Sequence, residues 1–570
     1  MMPIISSTPH YRGHILFAEN DTHYTASATA LLELEGYKVQ HIHTPQELDV
    51  VENLNIFDLA IIDIRLLDNH DEFDESGIDV AHRLPAETPK LLISLYTSSI
   101  HSAMQKEWFE EKRLPANTDW FHKEQGAERM LKKVDELFDQ HYPDNPELSI
   151  ATERPLVDYV RHIPRAGQRP ESYFDAWSQE LDLLLRRLFI RETSLELLRM
   201  GRGYGGAGLA RVTPIYEFHG AEQTHTRGAA VILKFGKLDS IQVEYDNYRE
   251  FVEPFLTQRA TNVVGVKGRA GRLAGIRFRF IGAQNPLSSV QIQDLKTGYE
   301  TLTAIDLSQI FADLFQTACG LWYSGKAESA APIPLVSTYK GYFKFYDPVQ
   351  WQEVYDTIDT VVESSPYFTC DGDELLMPRE RGRAERLPHP ARFADKHPEA
   401  FPAIKYQCIT HGDFNSRNIF VEKNRQMYST WLIDFFRTGN SAALRDAIQL
   451  ETVIKFSLLP VTDLAQRLAF ERDLLSPHSF ADPLAVRKWR DVSKPFAKAI
   501  YAIMSIREMA RWIHGEDDMK EYYGGLLINT LKVLTLKARP DSQQESLETR
   551  RQHTLYSAAL LAKKLKNWPA

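Results

Sequence analysis

Cysteine is scarce: the 570 residues hold three, Cys319, Cys370 and Cys408. Their wide spacing matches no zinc-binding pattern and builds no disulfide framework, which points to a reducing, cytoplasmic setting. No apolar run approaches the roughly 20 residues that a membrane-spanning helix needs. No signal-peptide pattern opens the chain; residues 1–10 read as a short polar, proline-containing lead. Surplus positive charge is also missing. The formal net charge is -10, so nothing global argues for nucleic acid or a membrane surface as a partner. No internal repeat is visible. With 43% hydrophobic and 25% charged residues the chain is core-forming material, long enough for about three or four folding units.

The densest local signal is His411-Gly412-Asp413-Phe414-Asn415-Ser416-Arg417-Asn418, followed by Leu432-Ile433-Asp434-Phe435-Phe436. An apolar approach, Cys408-Ile409-Thr410, leads to Asp413 on an irregular loop. Asn418 then opens a short strand over 419–421. Residues 422–425 read as a polar turn, and a strand over 430–433 delivers Asp434 at its end. A hairpin of this kind brings Asn418 and Asp434 together, as a divalent ion requires. The spacing suits phosphoryl transfer. One carboxylate, Asp413, accepts the proton of an attacking hydroxyl, while Asn418 and Asp434 hold magnesium against nucleotide phosphates. The plain alternative is a polar loop with an Asx cap and a hairpin. The string resembles the kinase-like phosphotransferases of the aminoglycoside and choline kinase type, which carry His-Gly-Asp where protein kinases carry His-Arg-Asp. The resemblance spans roughly residues 194–536 and implies ATP and Mg2+ as cofactors.

Upstream, residues 197–212 place Gly201, Gly203, Gly205, Gly206 and Gly208 between two apolar stretches. Backbone free of side chains approaches phosphates closely and offers N–H donors, although a glycine-rich loop alone is a weak signal. Residues 229–233 form an apolar run ending in Lys234, placed like the phosphate-pairing lysine of kinases. A helix over 240–255 puts Glu244 on one face with Tyr248 and Phe251, so Glu244 points inward and pairs with Lys234. Glu250 has polar helical neighbours and reads as solvated; a surface Lys–Glu pair is the plain alternative. Residues 273–281 read as the last strand of a small lobe, leading to a hinge at Gly282-Ala283 where adenine would meet backbone. A strongly apolar helix is predicted over 305–323. Residues 325–405 look irregular and read as an insertion shaping a substrate cleft. Asp446 reads equally as a helix N-cap or as support for the catalytic loop. The rest is helical, with a basic tail after Ala562.

The first 140 residues alternate short apolar runs (14–18, 38–42, 57–62, 91–95) with helical stretches, which predicts a parallel sheet with helices on both faces. Sites in such sheets lie at the carboxyl ends of strands, where Glu19, Asn20, Asp63, Ser94 and Lys123 fall. This pattern resembles a response-regulator receiver domain. The resemblance implies Asp63 as phosphoacceptor, Ser94 as the hydroxyl that follows the phosphoryl group, Tyr96 as the aromatic switch and Lys123 as its cationic partner. The sequence departs from the family at the acid pair, which reads Glu19-Asn20, in the long acidic loop 68–79, and at Glu124, where a proline is usual. Losing one carboxylate weakens a hard-cation site, so a receiver used only for docking or dimerisation is the competing reading.

Residues 141–169 are rich in proline, arginine and aspartate and read as linker. Residues 171–189 then show Phe174, Trp177, Leu181, Leu184, Leu185 and Leu188 at helical spacing. This is a helix packed between receiver and kinase lobe, or else a dimerisation stalk.

The expected architecture is an α/β receiver with a doubly wound parallel sheet over 1–140, and a linker and connecting helix over 141–192. An α+β bilobal protein-kinase-like fold follows, with its N-lobe over 193–284, its C-lobe over 285–570, and a helical C-terminal extension. The expected function is an ATP- and Mg2+-dependent phosphotransferase acting on an alcohol group, small-molecule or protein, under receiver control in bacterial signalling. A cognate histidine kinase and a homodimer are the implied partners. The alternative is a non-catalytic nucleotide-binding scaffold. A protein kinase is a weaker third reading, because no Ala-Pro-Glu string follows Asp434.

Overall fold

The structure, a computed structural model, describes residues 11–569 except 72, 95–109, 164–169, 203–206, 220–222, 257–267, 280–290, 344–347, 378–384, 425–426, 460–462, 485 and 537–543. Tyr96, the hinge residues Gly282 and Ala283, and Gly203, Gly205 and Gly206 lie outside the described residues. The chain divides into two compact units: Met1–Tyr245 with Asn262–Pro286, and Asp246–Thr261 with Leu287–Ala570.

The first unit opens with five parallel strands, β1 (Gly13–Ala18), β2 (Tyr37–Ile42), β3 (Leu59–Asp63), β4 (Lys90–Ser94) and β5 (Thr118–His122). Their order is β2-β1-β3-β4-β5. Strand order reverses beside β1, the doubly wound topology whose ligand crevice lies at the carboxyl ends of the strands. Every residue of β3 is buried, as a strand covered on both faces requires. The helices are α1 (Thr22–Leu34), α2 (Ser76–Arg83) and α3 (Ala127–His141). Asp21 caps α1, accepting the N–H groups of His23 and Tyr24, and so is committed to the helix.

The same unit continues into a seven-stranded sheet. It contains β6 (Ser149–Thr152), β7 (Ser194–Arg202), β8 (Gly208–His219), β9 (Gln223–Arg227), β10 (Val231–Lys237), β11 (Gly268–Ala270) and β12 (Leu273–Arg279). The order is β11-β12-β10-β8-β7-β6, with β9 on β8. Strand β6 falls inside the stretch that reads as linker. It is four residues long, with Ile150 packed against the core, and it pairs parallel with β7.

Helix α4 (Glu171–Leu188) packs Trp177, Leu181, Leu184, Leu185 and Leu188 into one core with Leu195, Ala210, Val212, Leu233 and Phe235. Its apolar stripe is thus satisfied inside the unit, which removes the physical reason for a dimerisation stalk. Phe174 stays at the margin of that stripe, half-buried.

Helix α4 also meets the amino-terminal ends of β1 and β3 through buried charge. Asp58, fully buried, accepts Arg187 Nη1 at 3.0 Å and the backbone N–H of His14 at 3.0 Å, with Arg269 Nε at 3.6 Å. Arg187 Nη2 donates to the Arg12 carbonyl at 2.8 Å. Glu180, also buried, pairs with Arg272 at 2.8 Å and His14 at 3.2 Å. Burial works against the Asp58 charge, but Arg187 and Arg269 outweigh it and hold that carboxyl below the usual range. Asp63 ends the strand that starts beside Asp58. Asp63 is therefore about 16 Å of extended chain from this contact, at the opposite end of β3.

The second unit holds three small sheets, ordered β13-β19-β20, β14-β18-β21 and β15-β16-β17. Their strands are β13 (Gln291–Asp294), β14 (Ala327–Pro334), β15 (Thr369–Asp371), β16 (Glu374–Met377), β17 (Glu385–Pro388), β18 (Ala403–Thr410), β19 (Ile419–Asn424), β20 (Met427–Leu432) and β21 (Gly439–Ala442). The continuous helix expected over 305–323 is divided. It runs as α5 (Ala304–Ala312), then as wide π turns over Asp313–Ala318, then as a short helix Gly320–Ser324. Within the wide turn, Asp313 accepts Thr430 N–H and Oγ1–H at 2.7 and 2.8 Å, tying it to β20.

The described residues of 325–405 are not irregular. Strand β14 pairs with β18, and α6 (Leu335–Tyr342), α7 (Pro348–Ser364) and the sheet β15-β16-β17 follow. The segment is integral to the unit because β14 borders β18, the strand that leads into the loop starting at His411.

Helices α8 (Arg445–Val453), α9 (Leu464–Leu474), α10 (Lys494–His514), α11 (Lys520–Thr535) and α12 (Gln544–Lys566) complete the unit. Two clusters of buried charge there are internally paired. Glu451 meets Arg507 and Tyr522, and Glu471 meets Lys455, His553 and Ser557. Among the described residues no helix is long and apolar enough to cross a membrane.

Candidate functional site

Strand β18 delivers the loop that starts at His411, and the loop is held from below by α8. Asp446 accepts the N–H groups of His411 (2.8 Å) and Gly412 (2.9 Å) and the Tyr323 hydroxyl (2.9 Å). The helix-cap alternative for Asp446 fails, since Leu444 holds the cap position. Gln449 accepts Phe414 N–H at 3.0 Å and donates to the Gly412 carbonyl at 2.9 Å, and Arg445 donates to the same carbonyl at 3.0 Å.

Gly412 has φ +74°. A Cβ there would stand 2.4 Å from the Arg437 carbonyl oxygen and 2.9 Å from the Arg445 guanidinium carbon. Glycine is therefore required on both conformational and steric grounds. His411 is buried. Its Nε2 lies 3.0 Å from the Ile433 carbonyl, which can only accept, and its Nδ1 lies 3.3 Å from Asp413 N–H, which can only donate. The ring is thereby fixed as the Nε2–H tautomer and ties the Asp413 loop to the chain just ahead of Asp434.

Asp413 is half-buried, while Phe414 next to it is buried and packs on Phe315. Asn418 donates Nδ2–H to the Asp413 carbonyl (3.0 Å) and to Asp413 Oδ2 (3.3 Å). With its nitrogen committed to Asp413, the Asn418 amide keeps Oδ1 for another partner. Ile433 N–H donates to the Asn418 carbonyl at 3.1 Å, which places the residue before Asp434 against Asn418. Strand β19 runs to Asn424, beyond the turn expected at 422, and pairs with β20 in register from Ile419↔Leu432 to Asn424↔Met427. Asp434 has φ +69°, a conformation a non-glycine residue adopts at a cost and one that clusters at functional sites. Hard oxygen donors, one carboxylate and one amide, suit magnesium in type and charge. Asn415 makes a local turn instead, its side chain accepting Arg417 N–H at 2.9 Å.

In the first unit, Lys234 Nζ on β10 lies 2.6 Å from Glu244 Oε2, and both side chains are nearly buried. Glu244 shares the buried face of the helix Leu238–Asn247 with Leu238 and Ile241, while Glu250 is exposed. Of the glycines, Gly201 follows an irregularity in the β7–β8 register at Arg199. Gly208 is a strand residue whose added Cβ would strike the Phe235 ring at 2.3 Å, so packing alone requires it.

At the receiver-type site, Lys123 Nζ stands 2.5 Å from Asp63 Oδ2 and 2.6 Å from Glu19 Oε2, all three buried. Burial pushes Glu19 up to about 7, the Asp63 charge adds to it, and Lys123 opposes both. Burial raises Asp63 too, against Lys123. Two carboxylates thus share one ammonium, a balance that a further cation would improve. Asn20 does not supply a charge: its amide meets that of Asn69 at 2.6 Å and donates to the Arg65 carbonyl at 3.3 Å. Ser94 ends β4, opposite His122.

Arg445 and Gln449, which hold the Gly412 carbonyl, and Lys532 on α11, whose ammonium is within electrostatic reach of Asp413, were not legible in the sequence. A helix-borne Arg-Asp-x-x-Gln pattern just after the second acid is the one signal that could have found the first two.

The family model described as ternary complex associated domain 9 matches residues 378–535, which contain Asp413, Asn418, Asp434, Asp446 and Lys532. No curated protein matches the chain. Among solved structures, a CheY-like response regulator receiver domain protein from Methanospirillum hungatei JF-1 is 26% identical, covering 23% of this chain and 95% of that one, with a TM-score of 0.19. An aminoglycoside-3'-phosphotransferase of type VIII is 15% identical over 66% of this chain and 98% of that one, TM-score 0.29. A microcompartment-associated aminopropanol kinase is 12% identical over 65% and 93%, TM-score 0.31. The strand orders and the loop geometry described above carry the assignment of fold: a receiver-like α/β domain is joined in this chain to a kinase-like α+β fold with a helical C-terminus.

Proposed function

We propose that the protein transfers the terminal phosphoryl group of ATP, with Mg2+, to an alcohol group of an acceptor. The observation that carries this reading is the loop itself. Asp413 is half-exposed on a backbone fixed by Asp446, Gln449 and Arg445, with Asn418 hydrogen-bonded to it and Asp434 next in the hairpin. In this reading Asp413 orients the acceptor hydroxyl and accepts its proton. Asn418 Oδ1 and the Asp434 carboxylate hold the metal, which supplies charge neutralisation at the phosphates when bound. Lys234, kept in place by Glu244, pairs with nucleotide phosphates. The test is incubation of the full chain with terminally labelled ATP, Mg2+ and a metabolite extract. Label should move from ATP to an extract component faster than in enzyme-free extract. Nucleotide binding with neither transfer nor hydrolysis would favour the scaffold reading.

The receiver-type site is proposed as the regulatory input, phosphorylated on Asp63 by a histidine kinase. Asp63 beside Lys123 supports this; the neutral Asn20, engaged with Asn69, favours the docking-only alternative. Treatment with acetyl phosphate or beryllofluoride in Mg2+ separates them. Wild type should gain an adduct by intact mass, or hydrogen-exchange protection around Asp63, and Asp63→Ala should not. If wild type gains neither, the receiver docks without being phosphorylated.

A further inference from the structure

We propose that Lys532, Arg437 and Arg445 form a cationic pocket beside Asp413 that receives an anionic group, carboxylate or phosphate, of the acceptor. This rests on the phosphotransferase reading and narrows its substrate class to hydroxylated acids or phosphate esters.

The first observation is an imbalance of charge. Helix α11 is buried from Glu521 through Leu531, and Lys532 is the next residue. Its ammonium lies 4.2 Å from the centroid of the Phe343 ring, and among the described residues it makes no hydrogen bond and no ion pair. Arg437 is half-buried and donates only to the Tyr342 carbonyl at 3.4 Å; it too lacks a carboxylate partner among the described residues. Arg445 is 5% exposed, lies 4.2 Å over the Tyr342 ring, and donates to the Gly412 carbonyl, while its Nε has no partner. The acid beside it, Asp446, has both oxygens engaged by His411, Gly412 and Tyr323.

Three cations therefore gather around Tyr342 and Phe343, and among the described residues Asp413 is the carboxylate that acts on Lys532. Burial, then the charge of Arg437, lowers Lys532 to about 7, Asp413 works the other way, and Arg445 lowers it again. Unpaired, partly desolvated cations are costly, and an oxyanion offsets that cost while matching guanidinium and ammonium donors.

The second observation ties these cations to the acceptor side. Arg445 donates to the Gly412 carbonyl, one residue before Asp413, and Asp413, the group assigned to the acceptor hydroxyl, acts electrostatically on Lys532. The aromatic rings of Tyr342 and Phe343 lie against the same cations, so an anion that met them would be flanked by flat apolar surface.

Calorimetric titration with inorganic phosphate tests the pocket without requiring turnover, so its result is independent of whether Asp413 catalyses transfer. Wild type should bind phosphate, and saturating Mg2+ with a non-hydrolysable ATP analogue should not displace it. Lys532→Met and Arg437→Met should each weaken binding at least tenfold. Lys532→Arg, which keeps the charge, should retain binding and guards against a folding defect, checked by thermal melting. Absence of binding to wild type, unchanged binding in the Met variants, or stronger binding of ethanolamine than of phosphate would overturn the proposal. Displacement of phosphate by the ATP analogue would assign the cations to the nucleotide and overturn it as well.

Discussion

Asp413→Asn keeps Mg2+–ATP binding and loses phosphoryl transfer by about a hundredfold or more, the usual cost of removing a positioned general base. The substitution is nearly isosteric. The Asn418 contact to the residue 413 carbonyl survives, because that bond uses backbone. The loop is set by Asp446, Gln449 and Arg445 acting on His411, Gly412 and Phe414, none of which sees the 413 side chain. The loss therefore falls on the chemical step. Initial rates of label transfer, or of slow ATP hydrolysis, measure it. Undiminished rates with unchanged nucleotide affinity would remove Asp413 from the base role.

Arg187→Met destabilises the first unit by about 3–5 kcal/mol, the typical result of stripping the partner from a buried charge. Asp58 is fully buried, and its strong contacts are Arg187 and the His14 N–H; Arg269 stands farther away at 3.6 Å. Arg187 also ties the Arg12 and Arg269 carbonyls, so its loss releases acceptors on both sides of the contact. Chemical denaturation should show the drop, and Asp58→Asn in the same chain should recover a large part of it, because no unpaired charge then remains. A loss below about 1 kcal/mol for the single variant, the scale of an exposed pair, would mean that the receiver-like domain is not bolted to α4 by this charge.

That contact shows what a sequence can and cannot disclose. Strand β3 was readable because its run Leu59-Ala60-Ile61-Ile62 is apolar throughout and ends in Asp63, and the α4 stripe because its leucines recur at helical spacing. Asp58 and Arg187 carry no such signal. They are 129 positions apart, and a lone acid before an apolar run looks like any turn residue. Helix α4 was expected to link receiver and kinase lobe, but its meeting with the amino-terminal rather than the carboxyl-terminal ends of the strands follows only from packing.

The loop around Asp413 divides in the same way. The hairpin bearing Asn418 and Asp434 is local, 16 residues from one to the other, so its pairing could be read from alternation and a polar turn. The support from Arg445, Asp446 and Gln449 reaches back more than 30 positions, and Lys532 arrives from a helix about a hundred positions on. Residues 325–405 looked irregular because short strands such as β15 and β16 offer too few residues for a period to show. The helix over 305–323 looked continuous because π turns keep an apolar pattern while shifting its phase. The glycine run suggested one phosphate-binding role for all five residues, yet Gly208 is explained by the Phe235 ring alone.

The central claim is that Asp434 and Asn418 hold a metal that binds ATP. Isothermal titration of the full chain with ATP in Mg2+, for wild type and for Asp434→Ala, tests it most directly. The account predicts saturable binding to wild type that disappears when EDTA removes the metal, and affinity at least tenfold weaker in Asp434→Ala. Equal affinity in the two proteins, or wild-type binding indifferent to EDTA, would contradict it.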